Sequence, residues 1–233
     1  GQNIANINLA GGGIVNNGNL NYSGGELNGN ITNNANFNIS GGGTRTVNGD
    51  VTNSGTVKVS LTTAVFTGVF TNTGAYISDP SKSYFNHLII DLNGFLVGGF
   101  GDEFYISGDF LNDSQNNSWN TQDADLFFTG TGTHTFHLSS FGKANKWDTL
   151  SLLDGAILDL IGDAGSGLYF DEILGDINNI HNTGSSPITL SYNGREVILP
   201  GNGQQVPEPT SIILLGIGLI VVAGYGERRF LKN

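Results

Sequence analysis

The chain has no cysteine, so no disulfide staples its fold and no thiolate acts as a nucleophile or metal ligand. Bases are also scarce: Lys and Arg number 9 against 20 acids, a formal net charge of −11. A nucleic-acid binder needs a basic footprint, and none exists here. Charged residues make up only 12% of the chain, and Gly, Asn, Thr and Ser take their place. Such a composition borders on that of disordered chains. Yet Ile, Val, Leu and Phe recur on a regular pattern, which disordered chains lack. No glycine-flanked nucleophile elbow and no phosphate-cradling loop before a helix occurs. The sequence starts at Gly1 with no signal peptide, so a fragment or a processed form is expected.

The apolar pattern is a repeat. Segments starting at Gly12, Gly29, Gly49 and Gly68 share one plan, and these glycines fall 17, 20 and 19 residues apart. A partial copy, Gly108-Asp-Phe110-Leu-Asn112, follows 40 residues later, which is two periods. Within a unit, residues such as Ile31, Phe37 and Ile39 point inward. Asn36, Asn38, Thr56 and Lys58 alternate with such positions and point outward, the period-2 signature of strands. Asn-X-Gly or Asn-X-Ala between strands reads as a turn that tolerates positive φ. Two short strands per unit cannot bury a core alone. Stacked about 4.8 Å apart, successive coils pair and their inward side chains form one column. Asn at matching positions can stack into ladders that satisfy their own amides. A leucine-rich repeat has a similar period, but its Leu signature and helical half are missing.

Phe85 to Leu92, Leu126 to Leu138 and Trp147 to Leu152 also alternate or run as apolar strands. The phrase Phe128-Thr-Gly-Thr-Gly-Thr-His-Thr-Phe136 resembles strands of secreted bacterial right-handed β-helix proteins, including surface adhesins of the haemagglutinin type. The region from Leu152 to Leu168 reads as one or two more strands, and Asp171 to Asn179 as a short helix. Ile188–Tyr192 and Arg195–Leu199 read as a closing hairpin around Asn193-Gly194.

The tail differs in kind. Val206-Pro207-Glu208-Pro209 precedes an apolar run, and Arg228, Arg229 and Lys232 follow it. Thr210 to Tyr225 spans 16 residues, or about 24 Å as a helix, somewhat short of a comfortable bilayer span. It is apolar all round, unlike a core helix with one polar face. The basic cluster fits a cytoplasmic end. The tail resembles the PEP-CTERM signal by which Gram-negative bacteria with exopolysaccharide pass exported proteins to an exosortase. The resemblance implies an inner-membrane-anchored precursor cleaved near Pro207-Glu208-Pro209, then a cell-surface or extracellular product. Without the tail, 18 acids face 6 bases, net −12 (20 − 2 acids; 9 − 3 bases).

Chemistry-bearing residues are few. His134 and His137 fall on opposite faces of a strand and cannot share a zinc ion; His87 and His181 stand apart in the sequence. Gly98 to Ile106 nearly matches the calcium nonapeptide of β-roll toxins, with Asp102 and Glu103 as the candidate calcium ligands. Glycine turn chemistry before a strand explains the same residues. Asp123 with Asp125, and the series Asp154, Asp159 and Asp163, offer further oxygens. A carbohydrate-active enzyme would draw acids from Asp102, Glu103, Asp171 and Glu172, but Arg45 and Arg195 are the body's only arginines. Lys143 and Lys146 lie near Trp147. Trp119 sits in a polar stretch, where it would serve either as a sugar platform or as core.

The sequence therefore predicts an all-β parallel β-helix or solenoid with coils of about 20 residues, plus a C-terminal transmembrane sorting helix. Residues 1–150 are read as repeats, 151–205 as terminal coils and cap, and 206–233 as the sorting signal. The expected role is a non-enzymatic surface or matrix element, structural or adhesive, without a required cofactor. Its expected partners are an exosortase-type enzyme, exopolysaccharide or cell-surface glycans, and further copies in an oligomer or filament. A polysaccharide lyase or hydrolase on the same scaffold is the alternative.

Overall fold

The computed structural model describes residues 6–8, 12–202 and 204–205. It is an all-β solenoid of about nine turns. Each coil lays one strand on each of two walls that share a single sheet. The first wall runs through Glu26–Asn28, Thr44–Asn48, Glu103–Ile106, Asp125–Phe128, Lys146–Leu152 and Gly167–Leu174. The second runs through Ile14–Asn16, Ile31–Asn33, Val51–Asn53, Phe110–Asn112, Thr133–His137, Ile157–Ile161 and Ile180–Asn182. The longer strands Thr63–Asn72 and Lys82–Ile90 serve both walls, and their pairing shifts at the bend between Phe66 and Val69.

A third wall closes the first coils. Asn19–Tyr22, Asn36–Ile39, Thr56–Ser60, Ala75–Asp79 and Phe95–Val97 pair in parallel in their own sheet. After Val97 this side is built of loops and the short 3-10 turn Gly142–Asn145. The boundary expected near residue 150 falls inside the strand Lys146–Leu152, and stacking continues across it.

Inward side chains form columns one coil apart. One reads Ile14, Ile31, Val51, Phe70, Leu88, Phe110, Phe136, Leu160 and Asn182. Another reads Leu20, Phe37, Val57, Tyr76 and Leu96. Aromatic rings interlock within the core: Phe66 stacks on Phe85 at 5.2 Å and meets Phe70 edge-on at 4.7 Å. Burial of these rings is the main drive to close the coil, at roughly 1.5–3 kcal/mol per large apolar side chain.

The repeat glycines sit where the coil turns from first to second wall. A Cβ on Gly49 would lie 2.5 Å from the Gly29 carbonyl oxygen of the coil below, and its φ is +158°. The Asn-X-Gly element differs from its expected turn geometry. Asn33, Asn53 and Asn72 close their strands with buried side chains, and neither they nor Gly55 and Gly74 adopt positive φ. Gly74 is required by close approach instead: a Cβ there would lie 2.2 Å from the Gly55 oxygen.

The buried asparagines form the expected ladder. Asn16 Nδ2 donates to Asn33 Oδ1 at 2.6 Å, Asn33 to Asn53 at 2.7 Å, and Asn53 to Asn72 at 2.7 Å. Each Nδ2 also donates to a backbone oxygen one coil on, at Asn36, Thr56, Ala75 and Phe95. Solvent-facing ladders join Asn34 to Asn17, Asn36 to Asn19, and Asn38 to Asn21, each at 2.9 Å.

The stack closes as the sequence predicts. Ile188–Tyr192 pairs antiparallel with Arg195–Leu199 around Asn193 and Gly194, whose φ values are +50° and +69°. The helix expected over Asp171–Asn179 is not formed. Asp171 to Leu174 belong to the strand Gly167–Leu174, because Glu172 and Ile173 pair with Thr149 and Leu150. Only Ile177–Asn179 turns, as a 3-10 turn with Asp176 accepting from the Asn178 N–H. The expected transmembrane helix lies outside the described residues.

Candidate glycan-binding groove

The first wall carries an outward aromatic row. In-register pairing places Tyr84, Tyr105 and Phe127 on successive coils. Tyr84 stacks on Tyr105 at 4.2 Å with planes 7° apart, and Tyr105 on Phe127 at 4.3 Å and 11°. The rings cover one another's faces, which leaves their edges for a ligand to meet. Ring edges carry partial positive charge, which suits oxygen-rich ligands.

Beside this row the wall bends, and a groove of about 330 Å³ follows the solenoid axis. Tyr84 and Tyr105 form one bank; Thr67, Asn86, Ser107 and Thr129 supply hydroxyls and an amide. The groove therefore offers one small polar side chain per coil. Thr67, Asn86 and Ser107 each reach the coil before by donating to a backbone oxygen: Val47, Thr67 and Phe85.

The other flank of the aromatic row is charged. Lys82 and Glu103 pair at 2.7 Å, and the Tyr105 hydroxyl donates to Glu103. Burial, and then the neighbouring Glu103 carboxylate, push the Tyr105 phenol far above the usual tyrosine range, so it remains a donor. The bond to Glu103 raises the Lys82 ammonium as well. Asp125 follows Glu103 in register on the next coil. Burial raises its pKa, repulsion from Asp148 and Glu103 adds to the rise, and the Thr149 hydrogen bond opposes it.

Asp102 and Glu103 are adjacent in sequence but face opposite ways. Asp102 is buried; its Oδ1 accepts from the Ser81 N–H at 2.8 Å and from the Ser78 hydroxyl, and its Oδ2 from the Gly99 N–H at 2.8 Å. Glu103 faces out to Lys82. The glycine-turn reading describes this segment: the Asp102 N–H bonds back to the Gly99 oxygen just before the strand. No group of three or more His, Cys, Asp or Glu side chains able to hold a metal ion occurs among the described residues.

His134 is buried, with Nδ1 2.8 Å from the Gly108 oxygen, while His137 faces out, 3.1 Å from Asp113. His87 pairs with Asp109 at 3.6 Å and His181 with Asp159 at 3.3 Å. Asp123 lies in a turn, apart from Asp125 on its strand. Asp154 and Asp163 sit exposed at other turns. Asp171 and Glu172 are exposed on the strand Gly167–Leu174. Trp119 is fully buried; its Nε1 donates to Thr121 and its ring meets Trp147 edge-on. Neither tryptophan serves as a sugar platform.

Sequence reading missed the aromatic row. Its signal is an outward aromatic next to an inward apolar residue in successive coils: Tyr84-Phe85, Tyr105-Ile106 and Phe127-Phe128. Spacings of 21 and 22 residues hide it without the pairing register.

The sorting residues Val206, Pro207, Glu208, Pro209, Arg228, Arg229 and Lys232 lie outside the described residues. No curated protein and no solved structure matches the chain. Residues 205–229 match the family model of the PEP-CTERM protein-sorting motif. A β-solenoid body therefore precedes a PEP-CTERM sorting signal, which implies export and processing through an exosortase system.

Proposed function

We propose that the body is a non-enzymatic structural or adhesive element of the cell surface or extracellular matrix, bound to exopolysaccharide or cell-surface glycan. The groove beside Tyr84 and Tyr105 carries this reading. It runs along the axis, repeats its polar groups once per coil, and so matches an extended polymer of repeating units. Many weak hydrogen bonds along a rigid rod sum to useful avidity without a deep pocket. Affinity electrophoresis of the full chain through gels containing the host exopolysaccharide tests it. Retardation that falls in a Tyr105→Ser, Asn86→Ala variant is expected. Unretarded migration of the native protein would overturn it.

Self-association is part of the reading, with a constraint. Unpaired strand edges invite pairing between copies, and Ile14–Asn16 and Asn19–Tyr22 each pair on one side only among the described residues. The other end closes in an antiparallel hairpin with Arg195 and Glu196 at its tip, which interrupts parallel stacking. This hairpin weighs against long head-to-tail fibres built by parallel stacking at that end.

One observation favours the enzymatic alternative. Asp125 holds its proton more tightly than an ordinary carboxylic acid, while its neighbour Glu103 is paired with Lys82. Paired carboxyls in unlike environments are what glycosidase chemistry starts from, and register puts these two on adjacent coils. Reducing-sugar release from the host polysaccharide that vanishes in Asp125→Asn would establish it; no release from the native protein would exclude it.

A further inference from the structure

The aromatic row holds two phenols side by side. Tyr84 and Tyr105 are half-buried and in register on adjacent coils, with ring centroids 4.2 Å apart and planes 7° apart. Rings this close and this parallel touch carbon to carbon. The pair is bounded on both sides. Val65 precedes Tyr84 in the column, and Phe127, which has no hydroxyl, covers the far face of Tyr105 at 4.3 Å. Tyr22, Tyr76 and Tyr192 are buried, and Tyr169 stands on another column of the wall, in register with Lys146. Tyr84 with Tyr105 is the only tyrosine–tyrosine ring contact among the described residues.

The chemistry open to two touching phenols is oxidative coupling. Loss of an electron makes a phenol strongly acidic, so a base on its oxygen lets the electron and the proton leave together. Tyr105 has such a base: its hydroxyl donates to the Glu103 carboxylate, which Lys82 holds at 2.7 Å. A link between the two rings would close a loop one coil long and remove chain entropy from the unfolded state. In a chain without cysteine, no disulfide can do this.

We propose that Tyr84 and Tyr105 are an oxidative cross-linking site, joined as dityrosine by a peroxidase and hydrogen peroxide, with Glu103 taking the Tyr105 proton. Each phenol loses one electron and one proton. The two radicals couple through a carbon ortho to each oxygen, a C–C bond forms, and the ring hydrogens at those carbons move to the oxygens and restore the phenols. Hydrogen peroxide takes up the two electrons and two protons and leaves as two waters. The rings open out of the stack as the bond forms, which two half-buried side chains permit. The proposal goes beyond glycan binding: it uses one bank of the groove but needs no sugar.

The test is brief treatment of the full chain, dilute and in mild detergent, with a haem peroxidase and hydrogen peroxide. Dityrosine fluorescence gives the rate. After unfolding and cleavage before aspartates, Tyr84 lies in peptide 79–90 and Tyr105 in peptide 102–108, so mass spectrometry of the monomer band reads the link directly. The two peptides should appear joined, lighter than their sum by two hydrogens. Tyr84→Phe and Tyr105→Phe should each abolish the product, and Tyr169→Phe should leave it unchanged. Glu103→Gln should slow its formation by about tenfold or more. No joined pair in the native monomer, a pair found only in dimers, or monomer fluorescence undiminished in either Phe variant at 84 or 105 would overturn the proposal. An unchanged rate in Glu103→Gln would remove Glu103 from the proton transfer.

Discussion

Replacing Asn53 by Ala tests whether the buried asparagine ladder holds the coils together. Asn53 Nδ2 donates to Asn72 Oδ1 at 2.7 Å and to the Ala75 oxygen at 2.9 Å, and its Oδ1 accepts from Asn33 Nδ2 at 2.7 Å. The Asn33 amide keeps two backbone acceptors, Ala35 and Thr56, after the change. Asn72 Oδ1 and the Ala75 oxygen each lose a donor where water does not reach. The Ala75 oxygen keeps its ladder pairing with the strand Thr56–Ser60, so only Asn72 Oδ1 is orphaned, and at about 1–3 kcal/mol for such a buried group the loss is roughly 1–3 kcal/mol. That is a large share of the roughly 5–15 kcal/mol of a typical domain. Asn36→Ala removes a ladder bond of similar length, to Asn19 at 2.9 Å, but an exposed one. Water replaces it, and the loss should stay within about 0.5 kcal/mol. Urea unfolding followed by circular dichroism gives both midpoints. Equal shifts for the two variants, or a loss below about 1 kcal/mol at Asn53, would refute the claim that desolvation makes the inner ladder the stronger one.

Close coil stacking predicts that Gly74→Ala destabilises by about 1–3 kcal/mol, since its Cβ would meet the Gly55 oxygen at 2.2 Å. Gly18→Ala, whose Cβ has no atom within 4 Å, should leave the thermal midpoint unchanged. Burial raises the folded-state pKa of Asp125 above its ordinary 3.8, so the ionised group opposes folding above the raised value. Native stability should gain a contribution as pH falls through that raised value, complete once pH is below 3.8. Asp125→Asn should therefore raise the melting temperature at neutral pH and lose that advantage in acid; a pH-independent difference would contradict the assignment. In the producing cell, Pro207→Ala with Glu208→Ala should leave a longer, membrane-retained product, read by mass spectrometry of the C-terminus. An unchanged mature mass would remove the motif from the processing step.

The repeat made most of the fold legible. Glycines at 17, 20 and 19 residue intervals announced the coil, and the alternation Ile31, Phe37, Ile39 assigned the inward face. The closing hairpin was legible because Asn-Gly between apolar strands demands positive φ at both positions. The Asp171–Asn179 helix failed because pairing with Lys146–Leu152 outweighs local preference. Asp102 and Glu103 looked like a pair in sequence, yet successive strand residues face opposite sides. The aromatic groove was not legible, because its members meet only through pairing across coils.

The sequence by itself determined the export signal and the architecture. A sorting motif is read along the chain, and a repeat period is a local property that each unit states again. Which outward side chains become neighbours was decided only by the tertiary structure. Coil lengths vary through the middle of the chain, and a one-residue change in register moves an outward side chain to the core. Stacking alone put Tyr84 on Tyr105 on Phe127.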